Sequence, residues 1–136
     1  MLDTVPKDFN PTNRKPRAKT RRMAIARRFA RRGPRLSTPG GATVTFPHAI
    51  ESMLTFGRMA VVLLDPAQED RNVYGIDRRG RTVWQLQKSP FTGREASDPY
   101  VELFRLGRDV RVFSWRGQIY DVDPRTGKVL GSYWSK

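Results

Sequence analysis

From Thr43 onward, apolar and polar residues alternate with a period of two, β-branched and aromatic residues are enriched, and Gly, Asp and Pro recur at short intervals. That is the pattern of half-buried strands joined by tight turns. It predicts strands near Thr43–Phe46, Arg58–Leu64, Asn72–Asp77, Arg81–Gln87, Tyr100–Leu106, Val110–Arg116, Gln118–Asp123 and Lys128–Trp134. The connections are short, so the strands form an antiparallel meander. Asp77–Gly80, Leu106–Asp109, Arg116–Gly117 and Asp123–Gly127 supply the turn chemistry. Pro47–Thr55 is expected to make a helical turn or short helix with Ile50, Met53 and Leu54 facing inward. The fold class is therefore mostly β, about seven or eight strands, preceded by a different kind of segment.

That segment loses the two-residue period. Pro6, Pro11 and Pro16 interrupt Met1–Lys19 and favour an extended tether. Lys19–Arg32 has neither Gly nor Pro; Thr20 can cap a helix there, and Gly33 with Pro34 would stop it. On a helix, Met23, Ile25, Ala26, Phe29 and Ala30 share one arc, while Arg21, Arg27, Arg28, Arg31 and Arg32 share the other; Arg22 breaks the segregation. Ser37–Gly41 reads as a linker. The expected organisation is a basic arm over residues 1–41, with a helix at 19–32, and a β domain over residues 42–136.

Charge changes the picture most. Twelve Lys or Arg face two acids in the first forty residues, a local balance near +10 of a total of +13. Concentrated charge does not help a core to pack, whereas neutralising phosphates releases counterions and is rewarded directly. The candidate phosphate-binding residues are Arg14, Lys15, Arg17, Lys19, Arg21, Arg22, Arg27, Arg28, Arg31, Arg32 and Arg35; Met23, Ile25 and Phe29 are expected to pack on a partner. RNA, DNA or an acidic protein surface would satisfy this arm. A solvated tail, anionic lipid and an Arg-rich transit peptide are the competing readings; Asp3 and Asp8 disfavour the last, and a narrow apolar face disfavours lipid.

Within the β half, Asn72-Val-Tyr-Gly-Ile-Asp77 followed by Gly80-Arg-Thr-Val-Trp84 parallels Gln118-Ile-Tyr-Asp-Val-Asp123 followed by Gly127-Lys-Val-Leu130, at an offset of 46 and then 47 residues. This repeat resembles the blade of quinoprotein-type β-propellers, and the chain also resembles short blade-like proteins of tailed bacteriophages. The resemblance implies blade architecture over about Arg58–Trp134. Two blades do not close a ring of four to eight, so it implies no quinone site.

The chemistry of catalysis is sparse. The chain has no Cys and a single His, His48, so thiolate chemistry, cysteine zinc sites and His-rich metal sites are excluded. The acids Asp65, Glu69, Asp70, Asp77, Asp121 and Asp123 sit at turns or strand ends, where structural roles suffice. Asp121–Gly127 lacks the spacing of a calcium loop. No phosphate-binding Gly-rich loop occurs. Tyr74, Trp84, Tyr100, Phe104, Phe113, Trp115, Tyr120, Tyr133 and Trp134 lie among arginines and could stack bases, but core packing accounts for most of them; Trp115 and Trp134 are the candidates for exposure. Met59–Leu64 is too short to span a membrane, and no secretory signal is present. The expectation is a non-enzymatic nucleic-acid-associated protein, cytoplasmic or in a virion, with no cofactor, no metal and no membrane partner. The alternative is a structural virion component whose arm threads between subunits.

Overall fold

The apolar run Met59–Leu64 is a strand buried on both faces, and it organises the rest of the chain. Met59, Val61 and Leu63 feed one apolar cluster, and Ala60, Val62 and Leu64 feed the other. Each fully buried Val or Leu contributes about 1.5–3 kcal/mol, so a strand buried on both sides anchors two cores at once. In the computed structural model, which describes residues 28–88 and 96–135, this strand (β5) lies in the middle of three stacked sheets.

The first sheet is a three-stranded meander of β1 (Ala30–Arg32), β2 (Arg35–Ser37) and β3 (Thr43–Thr45). The second comprises β4 (Ile50–Phe56), β5 (Met59–Leu64), β6 (Val73–Asp77) and β7 (Thr82–Gln85). The third comprises β8 (Tyr100–Leu106), β9 (Asp109–Ser114), β10 (Gln118–Val122) and β11 (Val129–Trp134). Every pairing is antiparallel between consecutive strands. Leu36, Phe46, Ile50 and Ile76 fill the space between the first and second sheets; Val73, Trp84, Tyr100, Val110, Val112, Tyr120 and Val122 fill the space between the second and third.

The sequence repeat lands on equivalent elements, since β6–β7 and β10–β11 are the third and fourth strands of successive four-stranded meanders. Tyr74 and Ile76 face the first sheet, and their counterparts Tyr120 and Val122 face the second. Each repeat thus turns the same residues toward the sheet before it.

Three expectations are corrected. The end of the proposed helix, Ala30–Arg32, is strand β1, and Gly33-Pro34 closes a hairpin instead of stopping a helix. Arg31↔Leu36 pairing and burial of Leu36 outweigh the local Arg-Ala helical preference. The earlier part of that helix, residues 19–27, lies outside the described residues, and no helix occurs among those that are described. Ser37–Gly41 is the β2–β3 turn and not a linker, with Thr38 buried and Gly40 N–H bonded to the Arg78 carbonyl at 2.9 Å. The arm-to-domain boundary expected at residues 41–42 therefore falls inside a hairpin of the first sheet. Residues 50–55 of the expected helical turn belong to β4, because Ile50 and Met53 must reach one cluster while Leu54 reaches the other. Trp84 on β7 and Leu86 just after it are buried but Thr82 is exposed, since a register shift between Gly75 and Ile76 puts Thr82 opposite Ile76 at the edge of the turn.

The outer face of the third sheet differs from the corresponding face of the second. Where the second sheet pairs Val61 with Gly75, the third pairs Arg111 with Asp121. The guanidinium grips that carboxylate through Nε and Nη2 at 2.7 and 2.9 Å, and the Tyr133 ring lies 5.3 Å from it. Phe104, Leu106, Leu130, Tyr133 and Trp134 remain exposed on this last sheet.

Candidate polyanion-binding surface

Antiparallel meanders put alternate turns at the same end. The turn Thr38–Ala42 touches Arg78, which fixes this end for the first two sheets. It gathers the β2–β3, β4–β5, β6–β7, β8–β9 and β10–β11 turns. Those turns carry Arg58, Arg78, Arg79, Arg81, Arg105, Arg108, Arg125 and Lys128 against Asp77, Asp109 and Asp123. At the opposite end Glu51, Asp65, Glu69, Asp70 and Asp98 balance Arg32, Arg35, Arg71, Lys88 and Arg116. The β unit is close to neutral in total, yet nearly all its excess positive charge is sorted to one end.

Two grooves open there. One of about 600 Å³ lies between the first and second sheets, lined by Gly40, Arg58, Met59, Asp77, Arg78, Arg79 and Arg81. The other, of about 430 Å³, lies between the second and third, lined by Phe56, Gly57, Arg105, Gly107, Arg108, Asp109, Asp123, Pro124 and Arg125. Gly57 and Gly107 adopt φ of +57° and +61°, left-handed turn positions that glycine occupies without strain, and each is followed by an exposed arginine.

The acids at this end hold the turns together. The Asp77 carboxylate accepts backbone N–H bonds from Arg79 and Arg81, both at 2.9 Å, and a bond from Arg81 Nε at 2.8 Å. Partial burial pushes its carboxyl up, but these donors outweigh that and hold it below the usual range. Asp123 is held low chiefly by the Arg125 backbone N–H at 2.9 Å. Arg105 is braced by a bond to the Thr55 carbonyl and sits 4.2 Å over the Phe56 ring. Arg58, Arg78, Arg79 and Arg108 have no side-chain partner among the described residues, leaving their guanidinium donors for a ligand.

Asp77, Asp123 and the Arg111-paired Asp121 all titrate lower folded than unfolded, so their contribution to stability is full above the ordinary value of 3.8 and declines as pH falls through their folded values. Thermal midpoints measured from neutral pH to about pH 2 should fall on the acid side, with a shallower fall in Asp77→Asn. An identical acid limb in that variant would contradict this.

Of the residues expected to contact phosphate, Arg28, Arg32 and Arg35 are exposed, whereas Arg31 Nη1 donates to the Ile50 carbonyl at 2.7 Å and ties the first sheet to the second. Arg28 precedes Ala30, which pairs with Ser37 next to the Thr38–Ala42 turn, so the arm joins the β unit at its basic end. Arg14, Lys15, Arg17, Lys19, Arg21, Arg22 and Arg27 lie outside the described residues, as do Met23 and Ile25. Phe29, expected to pack on a partner, packs on this chain's own first cluster. Trp115 and Trp134 are 73% and 63% exposed, at the end opposite the basic turns, where Trp115 adjoins Arg116.

The basic turn end escapes a reading that sums the charge of the β half. Its signal is a second repeat, Phe56-Gly57-Arg58 and Leu106-Gly107-Arg108, fifty residues apart. Among the described residues no three His, Asp or Glu side chains group to hold a metal ion, and no helix is long and apolar enough to cross a membrane.

Residues 31–133 match the family described as "Domain of unknown function (DUF7957)", and the chain belongs to that family. No curated protein matches it. Among solved structures the chain is similar to BamB from Moraxella catarrhalis, with 22% identity and a TM-score of 0.49 over 78% of this chain and 33% of that one. The chain thus spans about a third of the length of that structure.

Proposed function

We propose that this member of the DUF7957 family is a non-enzymatic nucleic-acid-associated protein that grips the phosphate backbone with its arginine-rich N-terminal segment and the basic end of its stacked sheets. The observation that carries this reading is the sorting of charge: Arg58, Arg78, Arg79 and Arg108, which have no side-chain partner among the described residues, project from turns at the end where the arm is attached. Maintaining a set of unpaired like charges at one end is unfavourable by self-repulsion, and a polyanion relieves it. The β unit then serves both as a docking module and as a second source of affinity.

The test is duplex and single-strand binding by the full chain as a function of salt, compared with the variant Arg58→Gln/Arg78→Gln/Arg79→Gln/Arg108→Gln. Removing one arginine–phosphate pairing should flatten the slope of log affinity against log salt by about 1, so the four substitutions should flatten it by about 3–4. An unchanged slope and affinity would remove the β unit from the interface. Absence of binding by the native chain at low salt would remove the function.

A second reading, a structural or accessory component of a large nucleoprotein assembly such as a phage virion, is favoured by the exposed Phe104, Leu106, Leu130, Tyr133 and Trp134 on the outer sheet. Apolar side chains left exposed on one sheet mark it as a surface for protein contact. The two readings are compatible, with the arm and turn end on nucleic acid and the outer sheet on protein.

A further inference from the structure

We infer that the two inter-sheet grooves form a ladder that reads a nucleic-acid backbone, each taking separate phosphates of one strand and touching no bases. The inference rests on the nucleic-acid reading above and specifies what is recognised. The groove containing Arg58, Arg78 and Arg79 and the groove containing Arg105, Arg108 and Arg125 succeed one another along the stacking direction, because each lies between consecutive sheets. Packed sheets are about 10 Å apart. A strand laid along that direction therefore presents different phosphates to the two grooves.

Base recognition by unstacked nucleic acid needs exposed aromatic faces beside the cations. Neither basic groove offers such a face. The most exposed tryptophans, Trp115 and Trp134, are at the opposite end of the sheets, and Phe56, the aromatic residue lining a basic groove, has its ring covered by Arg105. What the basic end offers is planar guanidinium donors on rigid turns, a geometry suited to phosphate oxygens. Of the three acids in the grooves, Asp77 and Asp123 are already occupied by the backbone and side chains of their own turns, which leaves Asp109 against Arg105, Arg108 and Arg125.

The test uses the full chain with fluorescein-labelled oligothymidylates of two to twelve nucleotides and an abasic twelve-mer of the same backbone, read by anisotropy at low salt. The abasic and native twelve-mers should bind within about threefold of each other, and acrylamide quenching of Trp115 and Trp134 should be unchanged on binding. Either pair, Arg108→Gln/Arg125→Gln or Arg58→Gln/Arg79→Gln, should weaken a six-mer while leaving a dimer within about twofold, because a dimer reaches one groove only and the other groove remains to hold it. A loss of tenfold or more with the abasic strand, or quenching of tryptophan by bound bases, would overturn the inference and leave the proposed function standing. Equal sensitivity of dimer and six-mer to Arg108→Gln/Arg125→Gln would overturn the ladder. Competition by polyglutamate as strong as by an oligonucleotide of equal charge would assign the surface to acidic protein, and failure of every oligonucleotide to bind would overturn the proposed function as well.

Discussion

Trp84→Ala is expected to lower the stability of the β unit by about 3–5 kcal/mol, the range for truncating a buried Trp and leaving its cavity. The indole is buried between the second sheet and the β10–β11 turn of the third, and its Nε1 donates to the Pro124 carbonyl at 2.8 Å. Two glycines make room for it. A Cβ on Gly75, opposite Trp84 across the β6–β7 pair, would fall 2.1 Å from Nε1, and one on Gly127 would fall 2.6 Å from Cγ. The ring therefore locks one repeat to the next and positions the turn that carries Arg125 and Lys128. Gly75→Ala alone should cost about 1–3 kcal/mol by overpacking. In Trp84→Ala the added methyl meets open space, so the double-mutant cycle should show a favourable coupling of about 1 kcal/mol or more. Additive losses, or an unchanged melting midpoint in Trp84→Ala, would show that the indole is not wedged as described.

Which parts of this architecture are legible in the sequence follows from how locally each is encoded. Strands β3 and β6–β11 follow from period-two alternation and glycine turns, β5 follows from its unbroken apolar run, and the apolar-Tyr-x-apolar-Asp repeat by itself places β6 and β10 in equivalent slots. β1 and β2 are hidden because three-residue strands rich in arginine have no apolar alternation of their own; Leu36 is the one fully buried residue they contain. Their pairing is enforced from the second sheet by Arg31 on the Ile50 carbonyl and by Ile50 N–H on the Gly33 carbonyl, and from just beyond β3 by Phe46 N–H on the Pro34 carbonyl. β4 is hidden for a related reason: Ile50, Met53 and Leu54 fit helical spacing equally well, and the choice is made by β5 beside it. The expected phosphate-binding residues rest on local density of charge. The basic turn end has no such density, because its arginines come from turns distributed from Arg58 to Lys128 and converge only when the meanders stack.

Convergence of the sheets depends on a polar pin as well as on apolar burial, and Asn72→Ala should expose it with a loss of about 2–5 kcal/mol. Asn72 is fully buried just before β6. Its Nδ2 donates to the Leu64 carbonyl at 2.9 Å and to the Tyr100 carbonyl at 2.8 Å, and its Oδ1 accepts the Tyr100 N–H at 3.0 Å. Alanine removes all three bonds at once and leaves the Tyr100 N–H and C=O buried without the amide that satisfied them; each such orphan costs about 1–3 kcal/mol. The repeat supplies an internal control. Gln118 occupies the position equivalent to Asn72 and is as deeply buried, yet its Nε2 has no hydrogen-bond partner among the described residues. An amide nitrogen that bonds to nothing adds no stability, so Gln118→Met, which keeps the volume, should cost less than about 1.5 kcal/mol. Denaturant midpoints of the two variants test the difference directly. Comparable losses in both would mean that burial alone sets the cost at these positions, and that the Asn72 bridge from the second sheet to the third contributes nothing of its own.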